Sequence, residues 1–345
     1  EIVPLKPSNR LLSLMPLSHM MEQTAGLLVP IYNGAMVVYP VSRQPAVIFK
    51  TLRTNQITTL VLVPQVLQLF MNGIEREVKA QGKEKQWRLL QRLASALPMA
   101  ARRLLFRPVH RQMGGRIQFF TSGGSYLEPE LAEKWAVLGI PILQGYGTTE
   151  ASPVITTNSL HKQRSASVGR ALPGQEVRIA TDGEVITRGP NVTQGYWRNP
   201  EATTAVFSED GWYKTGDLGI LDDQGFLFLK GRKKDLIVLA NGQNVYPEDI
   251  ETALNREPEV RDSAVVGLDK DGGDVEVHAV LLMEDGRQAS EIVRSANTRL
   301  ADHQQIRGFT VWPEEDFPRS HTLKVKKPKL LEYLLGQAQK GEERP

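Results

Sequence analysis

The stretch Gln144-Gly145-Tyr146-Gly147-Thr148-Thr149-Glu150 follows the apolar run Ile140-Pro141-Ile142-Leu143. A short buried strand that ends in small residues, two hydroxyls and a carboxylate predicts a polar cluster at the carboxyl edge of a sheet. Ligand crevices of open α/β folds form there. Gly145 and Gly147 allow close backbone approach to a ligand, Tyr146 offers a flat face for a base, and Thr148 and Thr149 can donate to phosphate oxygens. Glu150 is a hard oxygen ligand suited to Mg²⁺, which keeps several waters and takes one or two carboxylates beside substrate phosphates. A strand-to-loop turn with a capping hydroxyl accounts for the heptad alone equally well, so its companions along the chain decide.

With 345 residues, 41% of them hydrophobic, the chain can bury a substantial core and is not disordered. Its 42 basic and 39 acidic residues leave a net charge of +3, too little for a global field that would favour nucleic acid. The absence of cysteine excludes disulfides, cysteine–zinc sites and a protein thiolate nucleophile, so the sulfur of any thioester must come from a cofactor or partner. No apolar run approaches the roughly 18 residues of a membrane span, and residues 1–10 hold no signal-peptide core. A cytoplasmic protein is expected. The chain opens on Glu1 rather than Met and runs straight into mid-domain sequence, which suggests a piece of a longer protein.

Taken in order, residues 23–29 look helical, 34–40 read as a strand, 45–55 as a helix, 57–63 as a strand and 64–79 as a helix with Pro64 in its first turn. This alternation predicts βαβ units on a parallel sheet. Residues 79–86 read as a charged linker, and 87–101 as an amphipathic helix with Arg88, Arg92, Arg102, Arg103, Arg107 and Arg111 close by. Such a basic segment, 87–111, suits either a solvated face or an anionic membrane surface. Residues 117–122 are strand-like and 128–138 helical. Short alternating stretches between 159 and 224, punctuated by Pro173-Gly174, Asp182-Gly183 and Asp210-Gly211, predict a small antiparallel barrel. Residues 236–332 read as α+β: helix 247–255, strands 263–266 and 275–283, helix 290–300. The tail 341–345 is expected to be disordered.

Six ordered motifs join the opening heptad: PLSHMMEQ (16–23), TSGGSYL (121–127), GWYKTGDL (211–218), GRKKD (231–235), NGQNVYPEDIE (241–251) and PRSHTLKVKK (318–327). Together they resemble the adenylate-forming superfamily, which holds acyl-CoA synthetases, nonribosomal adenylation domains and luciferases. PLSHMMEQ and the basic segment are most similar to long-chain fatty acyl-CoA synthetases. The resemblance implies an α/β and α+β multidomain fold: the remainder of a large α/β domain (1–158), a β-barrel subdomain (159–230), a hinge (231–235) and a small mobile C-terminal domain (236–345).

The resemblance further implies site roles. Gly123, Gly124 and Ser125 would line the adenine and acyl pocket, with Ser125 and Tyr126 departing from the family's SGGAPL. His19 would lie near the acyl pocket, although a histidine beside an apolar helix is more often structural. Asp217 would accept the ribose hydroxyls, and Arg232 would reach ribose or phosphate with its planar fork. Lys234 would be the hinge residue, Gly242 would pass the pantetheine chain of CoA, and Lys324 would be the adenylation lysine. Leu323 departs from the family's GK text, so Lys326 and Lys327 compete with Lys324 for that role. Together with Gly145, Tyr146, Gly147 and Thr148 these would bind ATP or AMP, while Thr149, Glu150 and Lys324 would act in catalysis and Glu150 would hold Mg²⁺.

The implied reaction joins a fatty acid to AMP and then transfers the acyl group to CoA. The family's phosphate loop, TSGTTGxPKG, is expected upstream of PLSHMMEQ, yet residues 1–15 contain no glycine. This piece alone is therefore expected to adenylate poorly. An acyl-AMP ligase serving a carrier protein, and a noncatalytic AMP-binding module, remain alternatives.

Overall fold

The computed structural model describes residues 5–270, 273–283, 288–320 and 324–342, the last six by backbone alone. It divides into two units, Glu1–Thr215 with Ile220–Leu229, and Gly216–Gly219 with Lys230–Pro345.

The first unit is built on a seven-stranded sheet. Strands β1 (Arg10–Leu12), β2 (Met36–Val38), β3 (Thr59–Leu62), β4 (Phe119–Ser122) and β5 (Ile142–Tyr146) run parallel, and β6 (Thr156–Thr157) and β7 (Arg170–Ala171) extend it antiparallel, in the order β2-β1-β3-β4-β5-β6-β7. Covered on both faces, the parallel strands read as apolar runs: all four residues of β3 are buried. In β5 the strand does not stop at Leu143, because Gly145 and Tyr146 pair with Thr157 and Thr156.

The connecting helices follow the apolar spacing. After β1 the chain forms a widened π-helix (Glu22–Leu28) continued by α1 (Val29–Tyr32). Helix α2 (Pro45–Asn55) ends on Gln56 in the left-handed region, and α3 (Pro64–Ala80) begins with its proline in the first turn. Residues 79–86 are not a linker: α3 runs to Ala80 and α4 (Glu84–Ser95) starts after three intervening residues, since Leu90 and Trp87 pack against the main core. The amphipathic segment is two helices, with Pro98 separating α4 from α5 (Met99–Leu105), followed by α6 (Arg107–Gln112) and, beyond β4, α7 (Pro129–Val137). Trp135 of α7 is fully buried edge-on to Phe120, with ring centroids 5.1 Å apart.

Two of the arginines in this basic segment are structural. Arg102 donates to the carbonyls of Leu97, Ser95 and Ala136 at 2.8, 2.9 and 3.1 Å. Arg103 donates to Gly139 and Gln118 at 3.0 Å and also to Ile117, and burial lowers its pKa. Several of these carbonyls lie at helix ends or strand approaches, where backbone groups lack regular ladder partners.

Strands β8 (Glu176–Ile179), β9 (Glu184–Arg188), β10 (Tyr213–Leu221) and β11 (Leu227–Arg232) form the expected second sheet, with α8 (Pro200–Val206) between β9 and β10. The turn glycines Gly174, Gly183 and Gly211 all have φ near +80°. In the second unit a hairpin, β12 (Ile237–Val238) with β13 (Asn244–Val245), precedes α9 (Pro247–Leu254). There, β14 (Val260–Lys270), β15 (Asp274–Met283) and β16 (Gly308–Val311) form a sheet flanked by α10 (Ala289–Asn297) and α11 (Lys327–Glu342). Strand β14 is far longer than residues 263–266, because it pairs with β15 along nearly its whole length. The expected disordered tail is overturned at Gly341 and Glu342, which continue α11; residues 343–345 lie outside the described residues.

Glu248 of α9 fills the space beside Gly231, where a Cβ would fall 2.3 Å from its Oε2. Burial, opposed by Lys327, pushes the Glu248 pKa from 4.5 up to about 7.

Two stability predictions follow from these contacts. Arg103→Ala leaves three carbonyls unpaired and is expected to cost about 2–3 kcal/mol in urea unfolding; a loss under about 0.5 kcal/mol would contradict the structural role. For Glu248, the native state holds the proton that the unfolded state releases between pH 4.5 and about 7. Its contribution therefore falls as pH rises through that window, by at most about 1.4 kcal/mol per pH unit. Relative to the parent, Glu248→Gln should gain stability across the window, and parallel stability–pH curves would refute the shift.

Candidate active site

The turn after β5 is set by Gly147. A Cβ there would lie 1.8 Å from the carbonyl oxygen of Pro153, so the backbone returns over itself with no space for a side chain. Gly145 faces β6, where a Cβ would meet the Thr156 carbonyl at 3.3 Å. Both glycines thus have reasons inside the chain. Tyr146 is 8% exposed and packs with Ala151, Ile155 and Val168.

Beyond the turn, Thr149 is exposed and Glu150 lies in a single 3₁₀ turn, Thr149–Ala151. Glu150 is held twice: its carbonyl accepts from Thr193 N–H at 2.7 Å, and its Oε1 accepts from the Tyr196 hydroxyl at 2.8 Å. Tyr213 stands in the same cluster, and its pKa is raised by burial and then by the Glu150 charge. The Tyr196 pKa rises by burial and by the hydrogen bond to Glu150. Both phenols therefore stay protonated beside one carboxylate, and Tyr196 donates to it. A shallow cleft of about 600 Å³ opens beside Tyr196, lined by Trp197, Arg198 and Thr203 among others.

Among the described residues no three His, Asp or Glu side chains gather into a metal-binding group. A lone, oriented carboxylate fits Mg²⁺ carried in on phosphates and does not fit a protein-caged ion.

The Gly123-Gly124 turn, after β4, lies against the end of β5. A Cβ on Gly123 would lie 3.0 Å from Met21 Sδ and 3.2 Å from the Gly145 carbonyl, so three of the sequence motifs meet at this point. Gly124 has φ +84°, and Ser125 Oγ donates to Gln65 at 3.3 Å. His19 Nδ1 accepts from Met21 N–H at 3.3 Å, which directs Met21 toward the turn. Below it Glu22, fully buried, accepts from Ser13 Oγ, and burial raises its pKa. Gly26 gives that carboxyl its space, since a Cβ there would lie 2.3 Å from Glu22 Oε1.

The second unit carries its own group. Arg232 Nη1 donates to Asp217 Oδ1 at 2.7 Å, and Asp217 is 8% exposed while Arg232 and Lys234 are exposed. Lys324 belongs to this group: partial burial of its amine, then the Arg232 and Lys234 charges, lower its pKa, and Asp217 opposes them. Lys327, in contrast, pairs with Glu251 at 2.8 Å. Burial lowers the Lys327 pKa, but Glu251 and Glu248 outweigh it and raise the value. Lys326 is exposed, and Leu323 lies outside the described residues. Gly242 is the tip of the β12–β13 hairpin, with φ +79° and open space around its Cα.

Sequence reasoning missed Tyr196, the role of Tyr213 and the Glu248–Glu251–Lys327 cluster. The last had a signal: two glutamates three apart on α9 share one face.

Comparison with known proteins matches residues 1–197 to AMP-binding enzymes and 234–334 to the AMP-binding enzyme C-terminal domain. A long-chain-fatty-acid–CoA ligase of Mycobacterium bovis is 32% identical over 279 residues, 76% of this chain and 46% of that protein. An indoleacetate–CoA ligase of Aromatoleum aromaticum is 30% identical over 342 residues, 95% of this chain and 60% of that one. The structure of O-succinylbenzoate coenzyme A synthetase from Bacillus subtilis, in complex with ATP and magnesium ion, aligns with a TM-score of 0.73 at 26% identity, covering 93% of this chain and 61% of that one. This chain thus spans about half to three-fifths of the length of these relatives. The two matched regions, carried on a parallel α/β sheet and a C-terminal α/β unit, make the chain a member of the AMP-binding, adenylate-forming enzyme family.

Proposed function

We propose that the protein activates a carboxylic acid with ATP and passes the acyl group to CoA, with a long-chain fatty acid as the acid. The observation that carries this reading is the presence, in one family chain, of Glu150 bonded to the Tyr196 phenol in one unit and of a lysine, Lys324, with neighbours Arg232, Lys234 and Asp217 in the other. In the first step a carboxylate oxygen attacks the α-phosphorus, the bond to the bridging oxygen breaks, and pyrophosphate leaves. In the second the CoA thiol, losing its proton, attacks the acyl carbon and AMP departs.

Neither step needs a covalent bond to the protein; orientation and donors aimed at developing charge carry the work. Thr149 and Lys324 would donate to α-phosphate and carboxylate oxygens. Asp217 and Arg232 would grip the ribose, and Lys234 would serve as the hinge between steps. The Gly123–Ser125 turn, Gly145–Thr148 and His19 would border nucleotide and acyl chain, and Gly242 would leave room for the pantetheine arm. Glu150 would hold Mg²⁺, which supplies charge neutralisation on the phosphates.

The fatty acid is favoured by the M. bovis relative's name, whereas the A. aromaticum relative's name keeps an aromatic acid as the second reading. In the whole protein, Lys324→Ala should lower acid-dependent pyrophosphate release by about 10²–10³, leaving thioester formation from supplied acyl-AMP little changed. Equal loss in both half-reactions would refute the assignment. Acids of 12–18 carbons should turn over faster than indoleacetate or succinylbenzoate; the reverse order would select the aromatic reading.

A contact with anionic membrane is part of the same proposal. Leu89, Leu93 and Leu104 are 57%, 56% and 71% exposed, Arg88, Arg92, Arg107 and Arg111 are exposed around them, and no acidic residue occurs between Lys85 and Leu127. Each basic residue near an anionic surface contributes about 1 kcal/mol. The double variant R88E/R92E should therefore reduce co-sedimentation with phosphatidylglycerol-containing vesicles at least about thirtyfold. Equal binding by the variant, or equal binding to pure phosphatidylcholine, would contradict the contact.

A further inference from the structure

Lys324 belongs to a bonded pair of stretches, 318–320 and 324–327. Ser320 N–H donates to the Lys324 carbonyl at 2.8 Å, Lys326 N–H donates to the Pro318 carbonyl at 2.8 Å, and Arg319 bridges to Val325. Charged anchors stand at both ends of it. Arg319 Nη2 donates to Asp262 at 2.7 Å and to Asp316 at 2.8 Å. At the other end Lys327, its side chain 17% exposed, pairs with Glu251 of α9 at 2.8 Å.

The Lys327 anchor reaches further than Arg319's. Glu251 Oε1 also accepts from the Val265 N–H at 2.8 Å, which fastens the pair to β14. Glu248, one turn earlier on α9, adds its charge to the field on Lys327, and its Oε2 is buried with no hydrogen-bond partner among the described residues. That same oxygen occupies the space a Gly231 side chain would need. One buried cluster thus supports the segment carrying Lys324 and the strand end that leads into the Lys233–Asp235 turn.

We infer that Lys327 is a positioning residue: seated between Glu251 and Glu248, it fixes where the Lys324 amine stands. The inference rests on the proposed adenylation role of Lys324. A buried ion pair contributes little net stability against a well-packed apolar pair, but it specifies one geometry, which is what a donor placed for a transition state requires.

In the whole protein, K327M should lower acid-dependent pyrophosphate release about 10–100-fold while changing thioester formation from supplied acyl-AMP less than about threefold. Placed in the K324A background it should have little further effect, because the two act as one unit. K327R, which keeps the charge, should restore most of the rate. Losses that multiply in K324A/K327M, or equal losses in both half-reactions, would overturn the inference. Where K327M does not fold, E251Q replaces it with the same expectations. Amide hydrogen exchange over residues 324–330 gives a reading independent of turnover. It should accelerate in K327M and E251Q, and unchanged exchange would overturn the anchor even if the parent protein released no pyrophosphate with any acid. Inactivity of the parent would itself count against the proposed reaction, not against the anchor.

Discussion

The first unit depends on the absence of a side chain at Gly147. With 1.8 Å between a would-be Cβ and the Pro153 carbonyl, any larger residue would push the turn after β5 off its return path. That path lets Gly145 and Tyr146 pair with β6, buries Ile155, and delivers Glu150 between the Tyr196 and Tyr213 phenols. A constraint of sub-ångström severity at a backbone position is thereby converted into the orientation of a carboxylate. The Tyr196 hydroxyl orients that carboxylate without transferring a proton to it, which suits a cation carried in on phosphates.

In the second unit the discrimination is electrostatic. Three lysines lie within four residues, yet their surroundings differ sharply. Lys327 is surrounded by carboxylates and is held in its charged form. Burial, then the Arg232 and Lys234 charges against a single Asp217, lower the Lys324 pKa. A site of that character attracts anions, and it takes a lysine without a carboxylate of its own to serve one. The proposed role of Lys324 thus rests on the neighbours the fold brings to it, not on the local text.

Much of this was legible in the sequence. Apolar periodicity located α2, α3 and α7 closely and four of the five parallel strands to within two or three residues, β1 being missed, because strands buried on both faces are continuous apolar runs and helices on a sheet repeat every three to four residues. The Gly-Pro-Asp turns marked the second sheet. What escaped was long-range. Arg102 and Arg103 look like surface charge until the carbonyls of Gly139 and Ala136 arrive from α7. The length of β14 depends on its partner β15, and the structural value of Glu22 on the space left by Gly26 in a widened helix. Residues 79–86 read as a linker because their charge outweighed Trp87 and Leu90, whose burial depends on neighbours outside the window. For the candidate site, the motif residues were visible but their supports, Tyr196 and the Glu251–Lys327 pair, were not.

The central claim is that this family chain serves acid activation through an acyl-adenylate. Its most direct test is exchange of labelled pyrophosphate into ATP by the whole protein, with Mg²⁺, in the absence of CoA. Label should enter ATP only when a carboxylic acid is added, and most with long-chain acids. No exchange with any fatty or aromatic acid, with AMP still bound, would contradict the account and leave a nucleotide-binding protein without the chemistry.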